Sequence, residues 1–241
     1  MTDTIQPSDT KVTVIVPFLN AQDTLERCVT SIMSQSLKEI EVVFVNDGSH
    51  DRSADVLNKT LQKYPHRVDQ TFLIYYPIRH GLHHANHSAM MKATGKYIIR
   101  CDADDEFSSP DALRLMVEAA ERDNAEVVAA PYIKIEGDKE SIQKPSPAFP
   151  DINRIKIHTR NYTLWNKLIA RKLYFDNDIF PLNGVDCWDD LILVARVLAL
   201  RPKVTVIDTP VYRYYLNPNV RSLSRSARDT QFRQHLLAAL M

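Results

Sequence analysis

Glycine is scarce in this chain: five in 241 residues. None of the five builds a Gly-x-Gly-x-x-Gly or a Gly-Lys-Ser/Thr loop, which argues against dinucleotide-binding and P-loop enzymes. Cysteine is scarcer still. Cys28, Cys101 and Cys187 are odd in number and far apart, a pattern of buried free thiols in a reducing compartment. A disulfide framework or zinc ribbon would need more. Net charge is absent, with 30 basic and 30 acidic side chains, so bulk charge does not drive nucleic-acid binding. No apolar run is long enough to span a bilayer, and no signal peptide opens the sequence. The first ten residues are polar and read as a disordered lead-in. What remains is ordinary globular composition, long enough for one large domain or two joined halves with a sizeable core.

The apolar pattern alternates between buried strands and amphipathic helices. Val12 to Val16 reads as a strand stopped by Pro17. Leu25, Cys28, Val29, Ile32 and Met33 then recur at helical spacing. Glu41 to Val45 is a second strand, closed by the turn Asn46-Asp47-Gly48-Ser49. A helix through Ala54, Leu57 and Leu61 precedes a third strand, Thr71 to Tyr75. A helix from about Leu82 to Ala93 leads to Gly95, placed as a C-cap glycine. Lys96 to Cys101 is the fourth strand. Ser109 and Pro110 mark the start of a helix, as N-cap and first-turn proline, with Leu113, Met116, Val117 and Ala120 buried. Glu126 to Ala130 is the fifth strand. This order predicts an α/β fold with a mostly parallel central sheet flanked by helices. Lys139 to Pro150 reads as a loop. Beyond it, Leu191, Val194, Ala195 and Leu198 mark a helix closed by Pro202. Val204 to Ile207 and Val211 to Tyr215 are short strands, and about Ser226 to Met241 is helical.

Ligands of parallel sheets bind at the carboxyl ends of the strands. Pro17, Asn46-Asp47 and Cys101-Asp102-Ala103-Asp104-Asp105 all lie there. Three carboxylates in four positions repel one another unless a cation joins them, and a divalent metal with oxygen ligands suits such a cluster. A solvated acidic turn is the plainer reading. Asp47 can accept hydrogen bonds from a nucleobase or ribose, or belong to a simple Asx turn. His83 and His87 have a zinc-compatible spacing but lack the metalloprotease Glu, so polar surface or substrate contact is preferred. Tyr212, Tyr214 and Tyr215 form either an aromatic sugar platform or ordinary strand packing.

Taken in order, these segments resemble the inverting family 2 glycosyltransferases of GT-A fold. The residues that carry the resemblance are Val14-Ile15-Val16-Pro17-Phe18-Leu19-Asn20, Val45-Asn46-Asp47-Gly48-Ser49 with Asp51 and Ser53, and Ala93-Thr94-Gly95-Lys96-Tyr97-Ile98. Asp102-Ala103-Asp104-Asp105, Leu164-Trp165-Asn166-Lys167-Leu168 and Asp189-Asp190-Leu191 complete it. The resemblance implies a single GT-A-like domain over residues 11–223, with a nucleotide-sugar-binding half (11–132), an acceptor half (151–223) and a helical extension (224–241). It implies Asp190 as catalytic base and Asp102 and Asp104 as the metal motif, holding Mn or Mg. It further implies donor or acceptor contacts at Pro17, Phe18, Asn20, Asp47, Asn86, His87, Asp102, Trp165 and Asp189. Asp186 and Asp189 can also serve as N-cap and capping-box partner of the helix that follows.

The sequence departs from that family at Leu19, where a tyrosine often stands, at Asn46, a common aspartate, and at Asn86, where Ala-Arg-Asn is usual. The implied reaction moves a sugar from a nucleotide sugar, a UDP-sugar above all, to a hydroxyl of a glycan or lipid-linked glycan in surface polysaccharide synthesis. The implied setting is cytoplasmic, at the inner membrane face where peripheral association occurs, with no nucleic-acid partner. The alternative is a catalytically inactive nucleotide-sugar-binding partner subunit. Haloacid-dehalogenase-type phosphatases and sugar nucleotidyltransferases fit less well. The residue two after Asp104 is Glu106, and no early Gly-rich basic loop exists.

Overall fold

The computed structural model describes residues 9–145, 162–186 and 188–216. The polar lead-in up to residue 8, Cys187 and the helix expected from about Ser226 to Met241 lie outside the described residues. The elements run β1 (Val12–Phe18), α1 (Leu25–Met33), β2 (Ile40–Asp47), α2 (Ser53–Leu61), a 3₁₀ turn (Pro65–Gln70), β3 (Thr71–Tyr76), α3 (Leu82–Lys92), β4 (Tyr97–Arg100), β5 (Glu106–Phe107) and α4 (Ala112–Asp123). Then come β6 (Val127–Ala129), β7 (Tyr132–Glu136), β8 (Lys139–Gln143), β9 (Lys167–Ala170), α5 (Arg171–Phe175), α6 (Asp189–Ala199), β10 (Val204–Val206) and β11 (Tyr212–Tyr215).

The central sheet has the order β10-β6-β9-β4-β1-β2-β3. Only β9 runs against the others, antiparallel to both β4 and β6. The remaining strands therefore end on one edge. Because β9 is reversed, its first residue, Lys167, lies at that same edge, opposite Ala129 at the end of β6. The chain from Leu164 to Lys167 is delivered there by strand direction alone. A smaller sheet, β5-β11-β7-β8, stands beside this edge. The mixed α/β architecture is the one expected, with β9 completing the central sheet from the second half of the chain.

The core follows from the side-chain periods. β1 and β2 are buried along their whole length, as strands covered on both faces must be. α1 buries Leu25, Cys28, Val29, Ile32 and Met33, the predicted stripe. Each such aliphatic side chain stabilises the fold by about 1.5–3 kcal/mol relative to exposure. Cys28 and Cys101 are buried free thiols with their sulfurs 3.7 Å apart.

Several local expectations are corrected. Pro17 does not stop β1. The Ile15 carbonyl accepts from Cys101 N–H, so Ile15 and Pro17 both face β4, whose pairing ends at Ile15. The missing N–H of Pro17 thus costs no ladder bond. Ser109 is not the cap of α4. Gln35 reaches over from the end of α1, its amide oxygen accepting from Leu113 N–H at 3.0 Å and its amide nitrogen donating to Ser109 O at 2.8 Å. The expected loop from Lys139 begins instead as β8, paired with β7 across the Gly137-Asp138 turn. Its part beyond residue 145 lies outside the described residues. Asp186 does not cap α6, whose N-cap is Trp188 in a left-handed conformation.

Gly95 does not close α3, which ends at Ala93 as its C-cap. Its need is steric: a Cβ there would lie 2.7 Å from the backbone nitrogen of Thr13. Gly95 N–H donates to Thr13 Oγ1 and to the buried Glu41 carboxylate, which also accepts from Thr94 Oγ1. This knot fastens β1, β2 and the entry to β4 at the edge opposite the site. We expect Gly95→Ala to destabilise the protein by about 1–3 kcal/mol through backbone displacement. Urea unfolding checks this, and an unchanged midpoint would refute the close approach.

Candidate active site

On the β1–β2 side, the loops are tied to one another by short polar side chains. Asn20 adopts a left-handed φ of 50°. Its N–H donates to Ser49 Oγ at 3.0 Å and its Oδ1 accepts from His50 N–H at 2.9 Å. Asn46 Oδ1 accepts from Ser49 N–H at 2.8 Å, so the Asx turn belongs to Asn46 and not to Asp47. Gly48 follows at φ 77°, and a Cβ there would lie 2.5 Å from Arg79 N. The 78–81 segment crosses directly over it. Asp47 is buried beneath that segment and accepts from His80 N–H at 2.7 Å and Gly81 N–H at 2.9 Å. Each carboxylate oxygen keeps one further lone pair. Pro17 and Phe18 are buried in the end of β1.

α3 contributes histidines and one buried amide. His83 Nδ1 lies 2.7 Å from Asp186 Oδ1, which also accepts His83 N–H at 3.1 Å. Asp186 therefore caps α3 from outside. His87 is exposed and sits edge-on to Phe180 at 5.7 Å. Asn86 is buried, and its Nδ2 donates to Asp189 Oδ2 at 3.0 Å.

The end of β4 and the first turn of α6 meet around one guanidinium. Arg100, 6% exposed, places Nε 2.7 Å from Asp102 Oδ1. Its Nη1 lies 2.7 Å from both Asp189 Oδ2 and Asp190 Oδ1. Asp190 Oδ2 accepts from Leu164 N–H at 3.2 Å. Asp189 is the more enclosed of the pair, its side chain 7% exposed against 20% for Asp190. Sequence reasoning assigned Arg100 no part. Its signal was a charged residue at the end of the apolar run Tyr97-Ile98-Ile99, which has to be paired if buried.

β11 holds the acidic loop from the other side. Asp102 N–H donates to Tyr212 Oη at 2.9 Å, and Tyr215 N–H donates to Asp105 Oδ1 at 2.8 Å. Trp165 is buried, stacked on Tyr212 and Tyr214 with ring centroids at 4.6 and 5.4 Å. The aromatic group is a packed wall behind the loop. Arg27 lies over the Tyr215 ring at 3.7 Å and donates to the carbonyl of Asp104.

Burial and crowding of like charge set the protonation states. Burial, partly opposed by Arg100, pushes the Asp190 carboxyl up to about 8. Asp189 is raised for the same reason. Burial pushes the Lys167 amine down to about 7 against the pull of Asp190. Asp104 reaches the surface, yet the protein packed around it, and then the charge of Asp102, lift it to about 6. Among the described residues, no group of three His, Cys, Asp or Glu side chains is set to hold an ion unaided. The residues still fit a divalent ion completed by phosphate oxygens. Asp104 offers an exposed carboxylate in an acid-rich mouth, whereas Asp102 is already engaged by Arg100.

A doubly covered sheet of this order, with acidic strand ends and an acidic helix start converging on one edge, has the GT-A-like architecture. Residues 13–180 match the family described as glycosyl transferase family 2, and the chain belongs to it. It is 27% identical to a cholesterol galactosyltransferase of Borreliella burgdorferi, over 84% of this chain and 59% of that protein. It is 26% identical to the uncharacterized glycosyltransferase YibD of Escherichia coli, over 95% of this chain and 69% of that one. Among solved structures, S. aureus TarS 1-349 in complex with UDP-GlcNAc superposes with a TM-score of 0.75 at 19% identity, covering 95% of this chain and 65% of that one. The mannosyltransferase PcManGT of Pyrobaculum calidifontis, in complex with GDP-Man and Mn2+, gives 0.65 at 19%, covering 87% and 58%. The chain spans about 60% of the length of several curated relatives it matches. No described helix is long and apolar enough to cross a membrane.

The raised Asp190 carboxyl has a measurable consequence. Its folded-state value, about 8, exceeds the unfolded value of about 4, so the folded protein binds this proton more tightly. The stability it contributes is fully present below about pH 4 and is lost as pH rises to about 8. Asp190→Asn removes that titration. The melting temperature of the variant relative to the parent should therefore climb from about pH 5 to about pH 8. A constant offset across that range would show that Asp190 is not buried as described.

Proposed function

We propose that this protein transfers a sugar from a nucleotide-diphosphate sugar to a hydroxyl of a glycan or lipid-linked glycan acceptor, with inversion, and that Asp190 is the base. The observation that carries the reading is the approach of Asp190, from α6, to Asp102, at the end of β4, across a single guanidinium. Inversion requires the base and the leaving diphosphate on opposite sides of the anomeric carbon. Carboxylates arriving from two separate elements suit that requirement.

In this reading Asp47, Asn20, Pro17 and Phe18 border the nucleotide, and Asp102 faces the ribose. The complexes of TarS with UDP-GlcNAc and of PcManGT with GDP-Man support a nucleotide-sugar donor, and a UDP-sugar is the donor we propose. Asp104 would hold Mg or Mn, which screens the charge of the departing diphosphate. Asp190 takes the proton of the acceptor hydroxyl as its oxygen bonds to the anomeric carbon and the bond to the diphosphate breaks. Asp189 is held by both Arg100 and Asn86 and is the more enclosed of the pair, so the more exposed Asp190 is the carboxylate we assign to take the proton. His87 and the side of α6 face the acceptor, with Trp165 behind. Surface polysaccharide synthesis at the inner membrane face is the setting we assign.

Calorimetric titration of UDP, GDP, CDP and dTDP, each with and without Mn2+, tests the donor site. We expect Mn2+-dependent binding of one nucleotide, and Asp104→Asn should abolish the metal dependence. Asp190→Asn should retain that binding while turnover falls about 10²–10⁴-fold, the usual loss with a general base. Folded protein that binds no nucleotide would refute the transferase reading. Nucleotide binding without turnover in the parent protein would favour an inactive partner subunit.

A further inference from the structure

Arg100 is a buried charge to which the reading above assigns no task. Arg100 has its Nε on Asp102 and its Nη1 on Asp189 and Asp190, with Nη2 3.4 Å from Asp102 Oδ2. The carboxylates it joins come from two elements far apart in the chain, one from the loop that follows β4, two from the first turn of α6. A guanidinium is a rigid planar fork, so its nitrogen spacing fixes the separation of the groups it holds. Both oxygens of Asp190 are thereby placed, Oδ1 by Arg100 and Oδ2 by the Leu164 N–H. Asp189, held by Arg100 and Asn86, anchors the first turn of α6 on the same fork.

We infer that Arg100 is a positioning residue for the transfer reaction: its guanidinium sets the distance and direction from the donor-side Asp102 to the base Asp190. The inference rests on the transferase reading. It assigns Arg100 a specific effect on the chemical step, because the nucleotide contacts proposed for Asp47 and Asn20 do not pass through it. Lysine at this position supplies the charge at a single point and cannot meet Asp102 and the two helix carboxylates through separate nitrogens.

The test uses the full chain and two variants, with steady-state kinetics, nucleotide titration and thermal melts for each. We expect Arg100→Lys to fold, to bind nucleotide as the parent does, and to lose about 10²-fold in kcat, the cost typical of a misplaced catalytic group. Its KM for donor should stay within about threefold of the parent, since only the step after binding is affected. For Arg100→Ala we expect a deeper loss of kcat, and partial recovery, by about tenfold, when guanidinium but not ammonium is added at equal low ionic strength.

Wild-type kcat in Arg100→Lys would overturn the inference. So would a parallel fall of nucleotide affinity and kcat in both variants with no guanidinium recovery, which marks a purely structural arginine. If Arg100→Ala does not fold, the kcat and KM of Arg100→Lys decide alone. A parent protein that binds nucleotide yet shows no turnover defeats the transferase reading itself, and this inference with it. That outcome is seen in the parent and so is distinct from failure in the variants.

Discussion

The site is organised by a charge imbalance. Asp102, Asp189 and Asp190 face one buried guanidinium, and Asp104 and Asp105 add to the same acidic neighbourhood. Removing a carboxylate from water is costly, and the cost is met only by close pairing with additional hydrogen bonds. Each enclosed carboxylate here has found such partners: Asp189 the Asn86 amide, Asp190 the Leu164 N–H, and Asp105 the Tyr215 N–H. These partners come from α3, the start of β9 and β11. The polar contacts thus join elements that are far apart in the chain and already share the hydrophobic core. Burial still outweighs the pull of Arg100, and it raises the carboxyls of both Asp189 and Asp190. In the proposed reading, the same excess of negative charge at the mouth is what a divalent cation at Asp104 would offset.

Much of the frame was legible before any coordinates. The buried strands β1, β2, β4 and β6 and the one-sided helices α1 and α4 have strong patterns, and those patterns survive because a sheet covered on both faces imposes them. That Pro17, Asp47 and the Asp102 to Asp105 loop lie at one edge of the sheet was also readable, from the parallel strand ends. What escaped the sequence depends on partners far away. β9 is four residues long, and nothing within Lys167–Ala170 says that it will lie antiparallel between β4 and β6. β5 has two residues and exists only because β11 lies beside it. The β7–β8 hairpin carried a usable signal, Gly137-Asp138 between two alternating runs, that the polar composition around it masked. The capping errors share one cause. Gln35 and Asp186 cap helices to which they do not belong, and local motifs such as Ser109-Pro110 cannot reveal a cap supplied in trans.

The family departures make physical sense in this geometry. Asn46 stands where an aspartate is common, directly before the buried Asp47. Its Oδ1 accepts the Ser49 N–H that closes the Asx turn, which needs an acceptor but no charge. A second carboxylate there would add like charge beside Asp47, whose oxygens each accept only one backbone N–H, from His80 and Gly81. Asn86 stands where an arginine is usual, buried beneath Asp189. In this chain the cation facing Asp189 comes from β4, as Arg100. A neutral amide donor is then sufficient at position 86, and a second guanidinium would have to be buried against the first. The substitution that looks like a lost contact in the sequence is, in the fold, a consequence of where the positive charge sits.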